Sequence, residues 1–152
     1  MGFAIYALSV LAGELAISPA PGPDDMAAIR AWGAAQVVTL LTEAEMAQLT
    51  VQPFGEAVGA RWWHLPIADY GTPEGDTAAR WPVVAASLLA ALAAGERVLL
   101  HCRGGCGRSG MLALRLMVMT GEGPDAALTR LRAVRPCAVE TPTQMAWATA
   151  QI

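Results

Sequence analysis

Apolar residues in this chain fall in short runs separated by clusters of glycine, proline and acidic residues, and the runs differ in period. Residues 3–10 and 14–18 read as two short strands around a turn at Ala12-Gly13. A proline-rich stretch, residues 19–23, is a loop, and Asp24 or Asp25 can cap a helix that runs to about Trp32. Residues 36–41 (QVVTLL) form a β-branched apolar run with the look of a buried strand. Thr42 and Glu45 have capping-box spacing and open a helix. Residues 61–66 read as another strand, and residues 67–76 as a loop rich in turn formers. A helix around residues 81–94 ends at Gly95, and residues 97–100 make a short strand. A glycine-rich segment, HCRGGCGRSG, leads into an apolar helix from about Ser109 to Thr120, broken at residues 121–124. Residues 125–135 are amphipathic, with Ala126, Leu128, Leu131 and Val134 toward one side and Pro136 as the stop. Thr141 at the N-cap, Pro142 at N1 and Gln144 at N3 open a final helix. Strands alternating with helices predict an α/β fold of three layers, with parallel strands at the centre of the sheet.

Composition narrows this picture. The 152 residues suit one domain, residues 1–152, with a single core. At 55% hydrophobic and 15% charged the chain is the opposite of a disordered one. A net charge of −3 argues against a general nucleic-acid binder. All ten basic residues are arginine, which excludes Schiff-base chemistry and a nucleotide-loop lysine. Mean hydropathy is +0.41. The longest uncharged apolar run, residues 81–94, is still short of the roughly 20 residues a membrane span needs. The first basic residue is Arg30, so the apolar start lacks the positive region of a signal peptide. Three cysteines do not make a disulfide framework, and a reducing cytoplasm is the expected location, with no membrane partner.

The chemistry concentrates in His101-Cys102-Arg103-Gly104-Gly105-Cys106-Gly107-Arg108-Ser109, between a strand and a helix. A glycine-rich strand-to-helix turn points several backbone N–H groups at one place, and the helix N-terminus adds its positive end. Such a nest binds a tetrahedral oxyanion, here phosphate. The same surroundings favour a thiolate at Cys102, and Arg108 adds a permanent charge across the loop. Arg108 offers a planar fork to two phosphoryl oxygens. Ser109 can donate a hydrogen bond to the sulfur as it leaves. Together these groups suit a cysteinyl-phosphate that forms and is then hydrolysed.

The segment resembles the Cys-x5-Arg signature of the cysteine-dependent protein tyrosine and dual-specificity phosphatase superfamily, including the His before and the Ser after. Residues 64–74 (HLPIADYGTPE) are similar to the acid-bearing loop of the group around cyclin-dependent kinase-associated phosphatase and its bacterial relatives, with Asp69 at the acid position. Residues 135–144 (RPCAVETPTQ) resemble that group's glutamine-bearing segment. Cys137, where glycine is commoner, and Cys106 inside the loop depart from the pattern. The resemblance implies a protein-tyrosine-phosphatase-like fold, a mostly parallel sheet flanked by helices, and hydrolysis of a phosphorylated protein. It implies Cys102 as nucleophile, Asp69 as acid, Arg108 and the amides of Arg103, Gly104, Gly105, Cys106 and Gly107 as the phosphate cradle, His101 as a support that orders the loop, and Gln144 as orienting the hydrolytic water. No metal and no cofactor is expected.

Several rival readings accompany these. His64, His101, Cys102 and Cys106 could total four zinc ligands, although two arginines in the same turn disfavour a cation. Asp69 could be a simple turn residue, with Glu74 or Asp76 as acid. The capping box alone explains Gln144. Trp62 and Trp63 read as core and pocket wall. Cys106 is a candidate to trap an oxidised Cys102 as a disulfide. A phosphoinositide or nucleotide substrate, sulfur transfer or arsenate reduction, and a non-catalytic phospho-binding module are the functional alternatives.

Overall fold

The computed structural model describes residues 2–51 and 58–151. Five strands form one sheet in the order β1-β2-β5-β3-β4: β1 is Tyr6–Val10, β2 Gly13–Ser18, β3 Ala34–Thr39, β4 Arg61–His64 and β5 Arg97–His101. Only β1 is antiparallel to its neighbour, and the pairs β2–β5, β5–β3 and β3–β4 are parallel. The described helices are α1 Met26–Trp32, α2 Glu43–Leu49, α3 Gly75–Ala93, α4 Gly107–Met119, α5 Pro124–Val134 and α6 Pro142–Thr149.

The central strands are almost continuously apolar because both of their faces are covered. Side chains alternate between two cores. Leu15, Ile17, Val38, Val98 and Leu100 face a cluster shared with Val84 and Leu88 of α3, Met111 and Leu114 of α4, Leu131 of α5 and Ala148 of α6. Ala16, Val37 and Leu99 face the other way, onto Ile29 of α1 and Met46 of α2. The expected three-layer α/β arrangement is therefore present. At the β1 edge, Arg130 Nη2 donates to Ser9 O at 2.9 Å and pairs with Glu122 at 2.8 Å. No helix among the described residues is long and apolar enough to cross a membrane.

Several boundaries differ from those the sequence suggests. The first strand begins at Tyr6, while Phe3 and Ile5 pack against the α1/α2 core without pairing. Neither Asp24 nor Asp25 caps α1 with its side chain: Pro23–Asp25 form a 3-10 turn, where Asp25 Oδ2 accepts from Gly22 N at 2.7 Å. α3 begins at Gly75, so Asp76 lies in its first turn rather than in a loop, and Pro82 is inside the helix. In α5 Leu131 is buried and Leu128 and Val134 pack against the core as expected, but the fourth inward position is Ala127, with Ala126 exposed. Ala127 and Leu131 are four residues apart and share the inward face, with Ala126 about 100° round the helix from Ala127.

The parallel register aligns the carboxyl ends of the strands. Ser18 and Thr39 both pair with His101, and Thr39 pairs with His64. In open α/β sheets the crevice outside these ends is the usual place for a ligand. α4 starts there and approaches the 138–139 segment closely: a Cβ on Gly110 would stand 2.7 Å from Val139 N and 2.9 Å from Ala138 Cα.

Candidate active site

β5 ends at His101, and residues 102–106 turn the chain into α4. Gly105 makes the turn with φ +72°, where a Cβ would meet Pro19 N at 2.5 Å, so only glycine fits. Cys102 is a buried free thiol, 3% exposed. Its Sγ lies 3.2 Å from Ser109 Oγ in the first turn of α4. His101 is fully buried, and its Nε2 is 2.7 Å from Thr39 Oγ1. The Trp62 indole N–H donates to the same Thr39 oxygen at 2.8 Å. An indole only donates, so Thr39 Oγ1 accepts from Trp62 and shares a second hydrogen bond with His101 Nε2. Burial pushes the His101 pKa down to about 3, partly opposed by its hydrogen bond to the Cys102 backbone. The ring is therefore neutral, set between Thr39 and the Cys102 main chain. Trp63 donates its indole N–H to Gln36 Oε1 at 2.7 Å, so both tryptophans buttress β3 from the edge strand.

Arg108 is 1% exposed and forked onto Glu45: Nη1 donates to Oε1 at 2.7 Å and Nη2 to Oε2 at 3.0 Å. Nη1 also donates to Ile67 O at 2.8 Å, and Nη2 lies 3.3 Å from Asp69 Oδ1. Three of the five N–H bonds a guanidinium carries are thus hydrogen-bonded, and the Asp69 contact is an ion pair beside them. Among the described residues Nε–H has no acceptor. Burial alone would lower the Arg108 pKa, but the Glu45 hydrogen bonds and the negative charges around it outweigh this and raise it. The fork in turn pulls the Glu45 pKa from 4.5 down to about 2, against the opposing effect of burial. Sequence reasoning missed Glu45 as a site residue because its capping role is also real: its Oε1 accepts from Thr42 N at 3.0 Å. The available signal was physical. A buried arginine requires an anion, and Glu45 follows the strand beside β5.

The loop after β4 is laid along β3 by Leu65 N to Thr39 O and Ile67 N to Leu40 O, at 2.9 and 3.1 Å. A turn closed by Gly71 N to Ala68 O at 2.8 Å then presents Asp69, whose Oδ1 also accepts from Tyr70 N at 3.0 Å. Asp69 is half-exposed and beside Arg108. Asp76 instead pairs with Arg80 at 3.8 Å, one helical turn on, and Glu74 is the exposed residue before α3. Gln144 is buried and joins two loops: Oε1 accepts from Glu140 N at 3.0 Å and Thr141 N at 3.3 Å, while Nε2 donates to Gly71 O at 3.1 Å. The capping box thus exists, and the same amide also ties the Asp69 loop to α6.

The structure therefore brings Cys102, Arg108, Ser109, His101 and Asp69 together, with Gln144 behind the Asp69 loop. Arg103 is exposed, and its carbonyl accepts from Ala20 N at 3.0 Å. Cys106 is not free to trap Cys102, because it is disulfide-bonded to Cys137. Cys106 is thereby also lost as a zinc ligand. Among the described residues no group of three or more His, Cys, Asp or Glu could hold a metal. A dianion in the 102–108 loop would meet a thiol on one side, the free edge of a guanidinium, and a carboxyl group beside it.

A scan against family models matches residues 7–148 to the family described as "PTP-SAK: Swiss Army Knife protein, DSP-PTPase phosphatase domain". The chain is 34% identical over 91 residues to the putative tyrosine phosphatase 067L of Invertebrate iridescent virus 3, covering 57% of this chain and 38% of the relative. It thus spans under two fifths of that viral protein's length. Among solved structures it is similar to Tk-PTP in its active form, at 30% identity and a TM-score of 0.75 over 92% of this chain and 91% of the other. Kinase associated phosphatase, with its catalytic-site cysteine replaced by serine, superposes with a TM-score of 0.80 at 23% identity, covering 97% and 93% of the two chains. That second likeness speaks for the fold alone.

Proposed function

Because the chain belongs to the Swiss Army Knife family of dual-specificity-type protein tyrosine phosphatase domains, we propose that it hydrolyses phosphomonoesters on proteins, phosphotyrosine foremost, through a cysteinyl-phosphate intermediate. The observation that carries this reading is that the 102–108 loop sets the Cys102 sulfur 3.2 Å from Ser109 Oγ and within electrostatic reach of the Arg108 guanidinium, which has Asp69 Oδ1 at 3.3 Å.

Phosphate docks on the amides of residues 103–108, and Arg108 turns its free Nε–H and the Asp69-facing Nη2–H toward two phosphoryl oxygens. Asp69 is thereby displaced from the guanidinium toward the leaving oxygen. The Cys102 thiolate attacks phosphorus in line. The S–P bond forms, the O–P bond breaks, and the Asp69 proton goes to the departing phenol or alcohol. Water then attacks phosphorus, giving its proton to the Asp69 carboxylate, and the S–P bond breaks with the Ser109 hydroxyl donating to the leaving sulfur. Charge is neutralised by Arg108 and the amides, so the reaction as written needs no metal. Gln144 acts by holding the Asp69 loop through Gly71. Orienting the water would require it to release that carbonyl.

Arg103 is the basic residue besides Arg108 within the loop, and it points outward. This supports a protein substrate over a polyanionic headgroup. The test is phosphate release from p-nitrophenyl phosphate without added metal. Turnover blocked by vanadate and abolished in Cys102→Ser is the expected result. A Cys102→Ser enzyme that keeps more than a small fraction of activity would remove Cys102 as nucleophile.

A further inference from the structure

Four consecutive carbonyls of the 102–108 loop are engaged from outside it. Arg103 O accepts from Ala20 N at 3.0 Å. Gly104 O and Gly105 O accept from the Arg135 guanidinium, Nη2 at 2.9 Å and Nε at 3.2 Å. Cys106 O accepts from Val139 N at 3.1 Å and, within α4, from Gly110 N at 3.0 Å. Three of these four carbonyls are held by residues 135–139. The same segment is bonded to the loop covalently through Cys106–Cys137, across 31 residues of sequence.

The segment is itself anchored. Arg132 of α5 donates to Ala138 O at 2.9 Å and to Val139 O at 3.0 Å. The Arg135 guanidinium stacks 4.3 Å over the Tyr6 ring of β1. Peptide planarity gives these contacts a consequence. No cis peptide occurs among the described residues. In a trans peptide, the N–H of the following residue points opposite to the carbonyl. Pulling the carbonyls of Gly104, Gly105 and Cys106 toward residues 135–139 therefore turns the N–H groups of Gly105, Cys106 and Gly107 to the other side, as an anion nest requires.

We propose that residues 135–139 are a brace that holds the loop amides in their anion-binding orientation, with Arg135 as a positioning residue and the Cys106–Cys137 bond as a redox-sensitive second tie. The proposal rests on the reading of residues 102–108 as a phosphate cradle. Arg135 touches carbonyls and never the substrate, so its action is through the amides. Cys137 is exposed, which gives a reductant access to the bond. Dithiothreitol would convert it to two thiols while closing to its own cyclic disulfide.

Inhibition constants for tungstate and inorganic phosphate, measured against p-nitrophenyl phosphate hydrolysis, separate this role from plain stabilisation. An inhibition constant does not depend on the fraction of enzyme folded or on how much Cys102 is reduced. Wild type, Arg135→Ala, Cys137→Ser and the double variant are compared below their melting temperatures. Arg135→Ala should weaken both anions about tenfold, since misaiming even one or two amide hydrogen bonds is enough for that. Cys137→Ser should weaken them less, wild type in dithiothreitol should match Cys137→Ser, and the single variant should not respond to the reductant. The double variant should lose more than the product of the two single effects, because both ties hold one loop. A folded double variant that binds tungstate as wild type does overturns the brace and leaves the phosphatase reading standing. Wild type that binds neither anion overturns the phosphate cradle, and the brace with it.

Discussion

Replacing Glu45 by Gln keeps the shape of the side chain and a carbonyl oxygen for Thr42 N, but removes the charge facing Arg108. The Glu45 carboxyl sits at about 2 against its ordinary 4.5. At about 1.4 kcal/mol per pKa unit this is about 3 kcal/mol of stabilisation from the ionised form. A depressed pKa in the folded state means that this contribution is fully present above pH ~5, and about 2 kcal/mol of it is gone by pH 3. It vanishes as pH falls through the folded value. The size agrees with the cost of about 3–5 kcal/mol for stripping one partner from a buried ion pair, and Arg108 is 1% exposed. Urea unfolding of both proteins at pH 7, 5, 4 and 3 reads the difference directly. Glu45→Gln should be less stable by about 3 kcal/mol at pH 7, with an unchanged denaturant slope, and the gap should close progressively below pH ~5. A gap under ~1 kcal/mol at pH 7, or one independent of pH, would refute the assignment of Glu45 as the counter-charge of Arg108.

Asp69→Asn should lower kcat least for p-nitrophenyl phosphate, more for a phosphotyrosine peptide and most for a phosphothreonine peptide, within the 10²–10⁴-fold typical of a general acid; equal losses would point to another proton source. Arg108→Lys should lose most activity despite keeping the charge, because one ammonium cannot hold both Glu45 oxygens and a phosphoryl pair; steady-state kinetics with near-normal kcat/KM would contradict the forked arrangement. Gly110→Ala puts a methyl group 2.7 Å from Val139 N, and calorimetric unfolding should show a loss of about 1–3 kcal/mol as α4 is forced off the 138–139 segment.

Features governed by neighbouring residues were legible in the sequence. Both capping boxes, Thr42 with Glu45 and Thr141 with Gln144, form as their spacing indicates. The strand–loop–helix context of Cys102 through Ser109 also holds. What escaped is where the same side chains go next. Glu45 continues to Arg108 and Gln144 to Gly71, contacts spanning 63 and 73 residues that no local rule encodes. Three cysteines allow three pairings, and the sequence offered none as a standing bond, with Cys106 only a candidate to trap an oxidised Cys102. The fold instead lays the α5–α6 connection against the loop and pairs Cys106 with Cys137. The misplaced start of α3 has a different origin. The expected helix followed the uncharged apolar run 81–94, whereas the helix begins in the polar residues from Gly75, with Pro82 inside it.

The ends of the sheet bear on how the chain behaves among copies of itself. An exposed strand edge is a template on which another molecule can add a strand, and such addition propagates into aggregates. On one side, Arg130 already occupies the Ser9 carbonyl of β1. A strand arriving there would have to break that bond and the Glu122 pair behind it. On the other side β4 is only four residues long. It opens with the exposed Arg61, whose guanidinium lies 4.2 Å over the Trp63 ring. A short border carrying a fixed charge offers few successive rungs to a newcomer. For a chain that is 55% hydrophobic, guarded borders of this kind favour colloidal solubility at high concentration.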